Sequence, residues 1–364
     1  MSTNNRTGRK RDYVGVLSSV FAIVIGLLVG FVILLICNPS QALPGFVTIL
    51  TGAFTHGLKG VGQVFYYATP IILTGLSVGF AFKTGLFGTP GQFIVGAFAA
   101  VYVGIMWTGL GRIQWAVALL AAILGGALWG MVPGFLKACF NVNEVIASIM
   151  MNYIGMYMVN WIVKSYKPLF NNLRNESRNV AATAQIPKMG MDKLFPESSV
   201  GGGILLAIAA VLIIWVILNK TTFGYELKAV GFNRDASRYA GINEKRNIIM
   251  SMVIAGAIAG MAGGLLYLAG TGKHIEIKDV LASEGFTGIS VALLGLSHPI
   301  GVLFSGLFIA YLTAGGFYLQ LFEFSTEIID IIVAVIIYFS AFALIVKTIL
   351  TRMNRKREKG DGRT

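Results

Sequence analysis

The side chains best suited to specific interaction lie in one charged segment, Lys220–Arg246. It carries six Lys/Arg and three Asp/Glu, whereas only 12% of the whole chain is charged. Its cations Lys228, Arg234 and Arg238 are interleaved with aromatic residues. A solvated connector is one interpretation of this segment. The other is a docking surface, on which a soluble partner grips the chain and moves its helices.

Two short helices punctuated by glycine are predicted within the segment. Phe223–Val230 would form the first, and Gly231 would end it. The second would be Ala236–Ala240, with Gly241 after its last residue and a side-chain cap from Asn233 or Asp235. The helices would present the cations beside Tyr225 and Tyr239.

Catalytic and metal-binding patterns are missing from the rest of the sequence. The fragment Gly270–Lys273 falls short of a phosphate-binding loop, because Tyr267 stands where the first glycine is needed and His274 replaces Ser/Thr. The histidines are far apart, with no Cys or carboxylate pattern to support a metal site. We expect no cofactor and no catalytic residue.

Acidic residues inside a membrane would indicate an ion or proton relay. The sequence has none at the middle of its central apolar runs. Those at the edges are interpreted as helix N-terminal charges, favoured by the helix dipole, and they are Glu144, Glu284, Glu327 and Asp330. If the chain transports a substrate uphill, the energy would therefore have to come from a partner.

Composition indicates an all-α integral membrane protein. Hydrophobic residues make up 55% of the chain and the mean hydropathy is +0.74. Apolar runs approach the ~20 residues that a helix needs to cross the hydrocarbon layer, and they lack the alternation of a barrel. About ten transmembrane helices are expected, or eight if some segments are re-entrant. The runs are Val14–Cys37, Val64–Phe82, Phe93–Trp107, Ile113–Pro133, Val145–Val163, Ile204–Leu218, Ile248–Ala269, two spans within Gly285–Leu321 broken at Ser297–Pro299, and Ile328–Val346.

The placement of positive charge predicts the topology. Residues 1–13 and 349–364 would be cytoplasmic basic tails around a transmembrane domain, 14–348. Counting spans places 164–201 outside, as an irregular cap, and 220–247 inside. Positive charge next to membrane spans marks orientation rather than nucleic-acid binding. Cys37 and Cys139 fall on opposite sides, so no disulfide between them is expected.

Glycine spacing predicts close helix packing, and a short internal similarity suggests two related halves. Small-xxx-small pairs such as Gly126/Gly130 and Gly256/Gly260 let helix backbones approach. The run from Gly75 resembles the run from Gly288, and each is followed by a Pro/Gly break. Such interrupted segments in both halves indicate a transporter's substrate path. Side chains near spans that could contact a substrate are Tyr66, Tyr67, Gln92, Asn152, Tyr153 and Asn160, although such residues also join helices to each other.

The segment TTFGYELKAVGFNRDASRYAGIN resembles the coupling loop of ABC importer permeases of the branched-chain amino acid/ribose/nucleoside type. Agreement extends to Phe82–Phe87 with Gly91–Gln92, to Val142–Ile146 with Met151–Tyr153, and to Gly295–Gly301. The likeness is strongest to the nucleoside importers of bacteria. The resemblance implies an ATPase-coupling role for Phe223, Gly224, Glu226, Lys228, Gly231, Asn233, Arg234, Arg238 and Gly241.

The resemblance also implies the fold and the partners. The fold would be a two-half permease in the bacterial plasma membrane with both termini cytoplasmic. Partners would be ABC ATPase subunits, a second related permease, and a nucleoside-binding lipoprotein or periplasmic protein. One departure is Gly85–Gln92, which lacks the Asn-Ile pair of the family pattern. Purine nucleosides are the expected substrate; simple sugars such as ribose are the alternative, and a stand-alone secondary carrier is a further one.

Overall fold

The computed structural model describes residues 4–88 and 90–341. Over these ranges the chain is mainly helical, with irregular loops and one two-stranded antiparallel pair, β1 (Phe170–Asn171) and β2 (Glu176–Ser177). The helices are α1 (Asn4–Cys37), α2 (Ala42–Thr55), α3 (Gly57–Ala81), α4 (Pro90–Met106), α5 (Gln114–Phe140), α6 (Glu144–Ser165), α7 (Met191–Leu194), α8 (Gly203–Lys220), α9 (Thr222–Phe232), α10 (Arg234–Tyr239), α11 (Glu244–Tyr267), α12 (Ser283–Leu294), α13 (Pro299–Phe317) and α14 (Thr326–Ala341).

The all-helical membrane fold is confirmed. Six helical stretches of the described chain are long and apolar enough to cross a membrane, and each corresponds to an apolar run in the sequence. Helix α1 begins at Asn4, so the basic N-terminal segment from there onward is helical and continuous with the first apolar run. Residues 1–3, the end of the last predicted span and the C-terminal basic tail, 349–364, lie outside the described residues.

Two short helices were not predicted correctly from the sequence. Helix α2 has 14 residues, about 21 Å, and was not predicted. Glycine has a low helix propensity, so the glycines of α2 weaken the helical signal in the sequence. In the structure they allow close packing, and Gly45 lies against Phe324 and Leu319. Helix α12, predicted to be a full span, has only 12 residues, about 18 Å, which is less than the ~30 Å hydrocarbon thickness.

The predicted glycine contacts hold the centre of the bundle together. Gly126 and Gly130 of α5 face Gly256 and Gly260 of α11, and an added Cβ at either α11 position would overlap a backbone carbonyl of α5. Neighbouring backbones can approach this closely only where no side chain intervenes. Helix α11 is therefore fitted tightly to α5.

The two similar segments lie side by side. Helix α12 packs along α3, where an added Cβ at Gly75 would lie 2.5 Å from Val291 Cγ1 and one at Gly288 would lie 2.7 Å from the Thr74 carbonyl carbon. Each segment is followed by a break and then by a helix whose first residue is proline, Pro90 or Pro299. Proline suits this position because its missing N–H needs no intrahelical partner there.

Candidate functional site

The loops separate into two groups at opposite ends of the bundle. At one end, the predicted cap pairs with the loop after α11, since Ser177 N donates to Ile275 O at 2.9 Å and Ile277 N donates to Asn175 O at 3.1 Å. At the other end, α9 and α10 lie beside the turns that follow α3 and α5. Helix α8 connects the two ends.

Side-chain caps define the coupling helices, α9 and α10. Thr221 Oγ1 accepts a hydrogen bond from Gly224 N at 3.1 Å at the start of α9. Asn233, rather than Asp235, caps α10, because its Oδ1 accepts from Ala236 N at 2.9 Å. Gly241 follows α10 with φ +80°, a left-handed conformation that suits glycine.

The predicted role of Gly231 as a helix terminator is wrong. Helix α9 continues through Gly231 to Phe232. Instead, Gly231 sits against the turn after α3: an added Cβ would overlap the Lys83 carbonyl oxygen and lie 2.8 Å from its carbonyl carbon. Gly224 makes a similar approach to Ile217 and Leu218 of α8. These two glycines seat α9 on the transmembrane helices.

Several charged side chains of the segment hold it to the bundle instead of facing solvent. Arg234 Nε donates to Glu244 Oε2 at 2.8 Å, and its Nη1 donates to Asn141 Oδ1 at 3.3 Å. Asn247 Nδ2 donates to Glu226 Oε2 at 2.9 Å, which links α9 to α11. The prediction that Arg234 is presented for docking therefore needs correction, because a half-buried ion pair engages it.

Lys228 and Arg238 remain the more outward cations of the segment. Lys228 Nζ reaches Asn219 Oδ1 at 3.1 Å across the junction of α8 and α9. Arg238 is exposed on α10. Phe223, another residue of the segment, is half-buried and packs against the main hydrophobic core. A movement of α9 would therefore displace side chains that contact the transmembrane helices.

Aromatic residues form the exposed surface of the coupling helices. Tyr225, Phe232 and Tyr239 have exposed fractions of 72%, 91% and 95%. A groove of about 610 Å³ runs between α9 and α10, and Ala229, Ala236 and Ile242 are among its lining residues. Sequence reasoning did not single out Phe232, because this residue falls between the two predicted helices, whereas in the structure it is the last residue of α9. An exposed apolar patch of this kind is typical of a protein interaction site.

The predicted pathway residues separate into two groups. Tyr66 and Tyr67 form an edge-to-face pair at 5.3 Å, and the Tyr66 hydroxyl lies 3.0 Å from Thr271 Oγ1 in the loop after α11. Asn160 Nδ2 donates to Lys278 O at 3.0 Å in the same loop. These residues belong to the end of the bundle that carries the cap.

The second group lies deeper. Asn152 Oδ1 accepts from Gly91 N at 2.9 Å and so caps the start of α4. Gln92 is buried nearby, and its Oε1 has no partner among the described residues. Tyr153 does not join either group, because it lies on the outward face of α6 with an exposed fraction of 44%. Asn152 therefore joins α6 to the start of α4.

A polar cavity of about 280 Å³ opens at the end of the bundle that carries the cap. We call it the outer cavity. It is bounded by α4, α6, the end of α11 and the loop leading into α12. Lys273 Nζ lies 2.7 Å from Glu284 Oε1 within its wall, and Tyr267 and Asn160 line it too. Glu284 stands in the first turn of α12, as predicted, but the sequence did not reveal its pairing with Lys273.

Comparisons with known proteins agree with this architecture. The family model for the branched-chain amino acid transport system permease component matches residues 60–341. The guanosine ABC transporter permease protein NupP of Bacillus subtilis is 38% identical over 340 residues, covering 93% of this chain and 96% of the relative. The nucleoside permease protein NupB of Lactococcus lactis is 34% identical, covering 96% and 95%.

A more distant relative is the glucose ABC transporter permease protein TsgB13 of Haloferax volcanii, 31% identical over 81% of this chain and 78% of the relative. No solved structure gives a significant match. The family match covers most of the chain, including every helix from α4 to α14. This chain therefore belongs to the family of branched-chain amino acid transport system permease components.

Proposed function

We propose that this chain is the membrane-spanning permease subunit of an ATP-driven importer of nucleosides, with purine nucleosides as the preferred substrates. The observation that carries the proposal is the near full-length similarity to NupP and NupB, whose names specify guanosine and nucleosides. The sugar alternative has weaker support, since the glucose permease is less similar and covers less of the chain. The proposed location is the bacterial plasma membrane, with both termini in the cytoplasm.

A separate ATPase subunit would dock on α9 and α10. Three features support this partner: the glycine-seated contact of α9 with the turn after α3, the exposed ring of Phe232, and the groove between the two helices. Large exposed aromatic side chains supply much of the binding energy at protein interfaces. ATP binding would reorient the bundle to the extent that one state of the loop is bound more tightly.

A second, related permease subunit would pack against α6. Tyr153 and Tyr157 lie near the middle of this 22-residue helix with exposed fractions of 44% and 51%. Neither hydroxyl has a hydrogen-bond partner among the described residues, and an unsatisfied polar group facing lipid is costly. A second helical subunit on this face would provide partners for both hydroxyls.

A nucleoside-binding protein would deliver substrate to the cap end. The cap residues 164–201 carry six Lys/Arg and three acids, so its surface suits an acidic partner. Because the cap pairs with the loop after α11, a partner that binds the cap would lie close to the outer cavity. Substrate released there would enter the bundle beside Asn160 and Tyr267.

Uptake by the complete transporter tests the proposal. This chain, the second permease, the ATPase and the binding protein would be reconstituted in proteoliposomes loaded with ATP, and entry of labelled guanosine would be measured. Excess unlabelled guanosine or inosine should suppress uptake, whereas ribose and glucose should not. Suppression by the sugars but not by nucleosides would refute the nucleoside assignment.

A further inference from the structure

The outer cavity brings together side chains from distant parts of the chain. Ile94 comes from α4, Asn160 from α6 and Tyr267 from the end of α11, and the loop into α12 contributes Lys273 and Glu284. Lys273 and Glu284 have exposed side-chain fractions of 40% and 23%, so each is partly buried and partly open to the cavity. The cavity is therefore lined by residues from four separate parts of the chain, and it has a charged pair in its wall.

The charged pair has hydrogen-bonding capacity left for a ligand. A carboxylate can accept about four hydrogen bonds and an ammonium can donate three. The ion pair uses one of each, and Ser283 Oγ approaches Glu284 Oε2 only at 3.4 Å. The Tyr267 hydroxyl, which lines the same cavity, has no hydrogen-bond partner in the described part of the chain. A polar molecule could engage all three groups.

The side-by-side donor and acceptor indicate the class of ligand. A 6-oxopurine presents the O6 acceptor next to the N1–H donor, which is the complement of an ammonium next to a carboxylate. Lysine pairs readily with O6 and N7 of guanine, whereas adenine presents a donor at position 6 and an acceptor at N1. An aromatic ring such as Tyr267 would offer the base a stacking face.

We propose that Lys273 and Glu284 bind the base of 6-oxopurine nucleosides in the outer cavity and select guanosine and inosine over adenosine. This inference rests on the proposed nucleoside function and identifies the residues that choose among nucleosides. Lys273 Nζ donates to O6, and the Glu284 carboxylate accepts from N1–H and, in guanosine, from the 2-amino group. A cavity of about 280 Å³ is just below the roughly 300–1,000 Å³ typical of pockets for drug-sized ligands, which suits a molecule no larger than a single nucleoside.

The experiment measures the ratio of guanosine to adenosine uptake by the complete transporter in proteoliposomes. The same binding protein is used at saturation throughout, so a change in the ratio reports on the permease. We expect Glu284→Gln to lower the ratio by about ten-fold, because a well-placed pair of base contacts discriminates by about 5- to 150-fold. Lys273→Gln should act in the same direction, and Lys273→Arg should retain the preference because it keeps the donor.

Another ion pair at the same end provides the matched control. Lys59 and Glu197 lie 3.3 Å apart outside the cavity, so Lys59→Gln and Glu197→Gln should leave the ratio unchanged. An unchanged ratio in both Glu284→Gln and Lys273→Gln, or an equal loss of both substrates, would overturn the inference and make the pair purely structural. Equal uptake of the two nucleosides by the wild type would overturn it while leaving the proposed function intact. No nucleoside uptake by the wild type would refute the proposed function itself.

Discussion

Replacing Gly231 with alanine should uncouple the loop from the bundle. The new Cβ would overlap the Lys83 carbonyl oxygen, lie 2.8 Å from the carbonyl carbon and lie 3.3 Å from Thr84 Cα. All three are backbone atoms, so no side chain can turn away to relieve the overlap. Helix α9 would have to lift by about 1 Å, at a cost typical of overpacking, about 1–3 kcal/mol. At the middle of this range, the population of seated loops falls roughly 30-fold.

Substrate-stimulated ATP hydrolysis and uptake by the reconstituted transporter would measure this effect. Both should fall by about ten-fold or more, while the amount of the variant in the membrane stays normal, because Gly231 lies outside the central helix contacts. Gly201→Ala is the matched control, since an added Cβ there meets nothing within 4 Å and its backbone is not left-handed. Wild-type coupling in Gly231→Ala would refute the idea that the seat of α9 transmits motion.

Three other substitutions test separate parts of the structure. Phe232→Ser removes a ring that is 91% exposed, so it should leave thermal stability unchanged but weaken co-purification of the ATPase by about ten-fold; unchanged co-purification would exclude Phe232 from the docking surface. Arg234→Glu should abolish uptake by breaking the ion pair with Glu244, and Glu244→Arg in the same chain should restore part of it; if it restores none, the pair does not hold the loop. Gly256→Ala should lower stability by about 1–3 kcal/mol, seen as a lower Tm in detergent, and an unchanged Tm would contradict the tight contact of α11 with α5.

Local sequence signals predicted the bounds of α9 and α10 closely but did not predict the contacts of Gly231 and Arg234. A cap such as Asn233 acts within three residues, so its role can be recognised from the sequence alone. The role of Gly231 depends on Lys83, which is far away in the chain, and no local pattern reports that contact. The sequence likewise did not reveal that Arg234 pairs with Glu244, so Arg234 was expected to face a partner. The distance between these two side chains depends on how α10 packs against the start of α11.

The sequence by itself determined the all-helical membrane fold and the existence of two short helices within the charged segment. Apolar runs and flanking charge act along the chain, and transfer of these runs into lipid does not require knowledge of the fold. Only the tertiary structure decided which polar residues meet, as in the outer cavity formed by Asn160, Lys273 and Glu284. It also showed that α12 is too short to span and that Tyr153 faces outward. The physical reason is that helix packing brings together residues more than a hundred positions apart, and sequence spacing carries no record of those contacts.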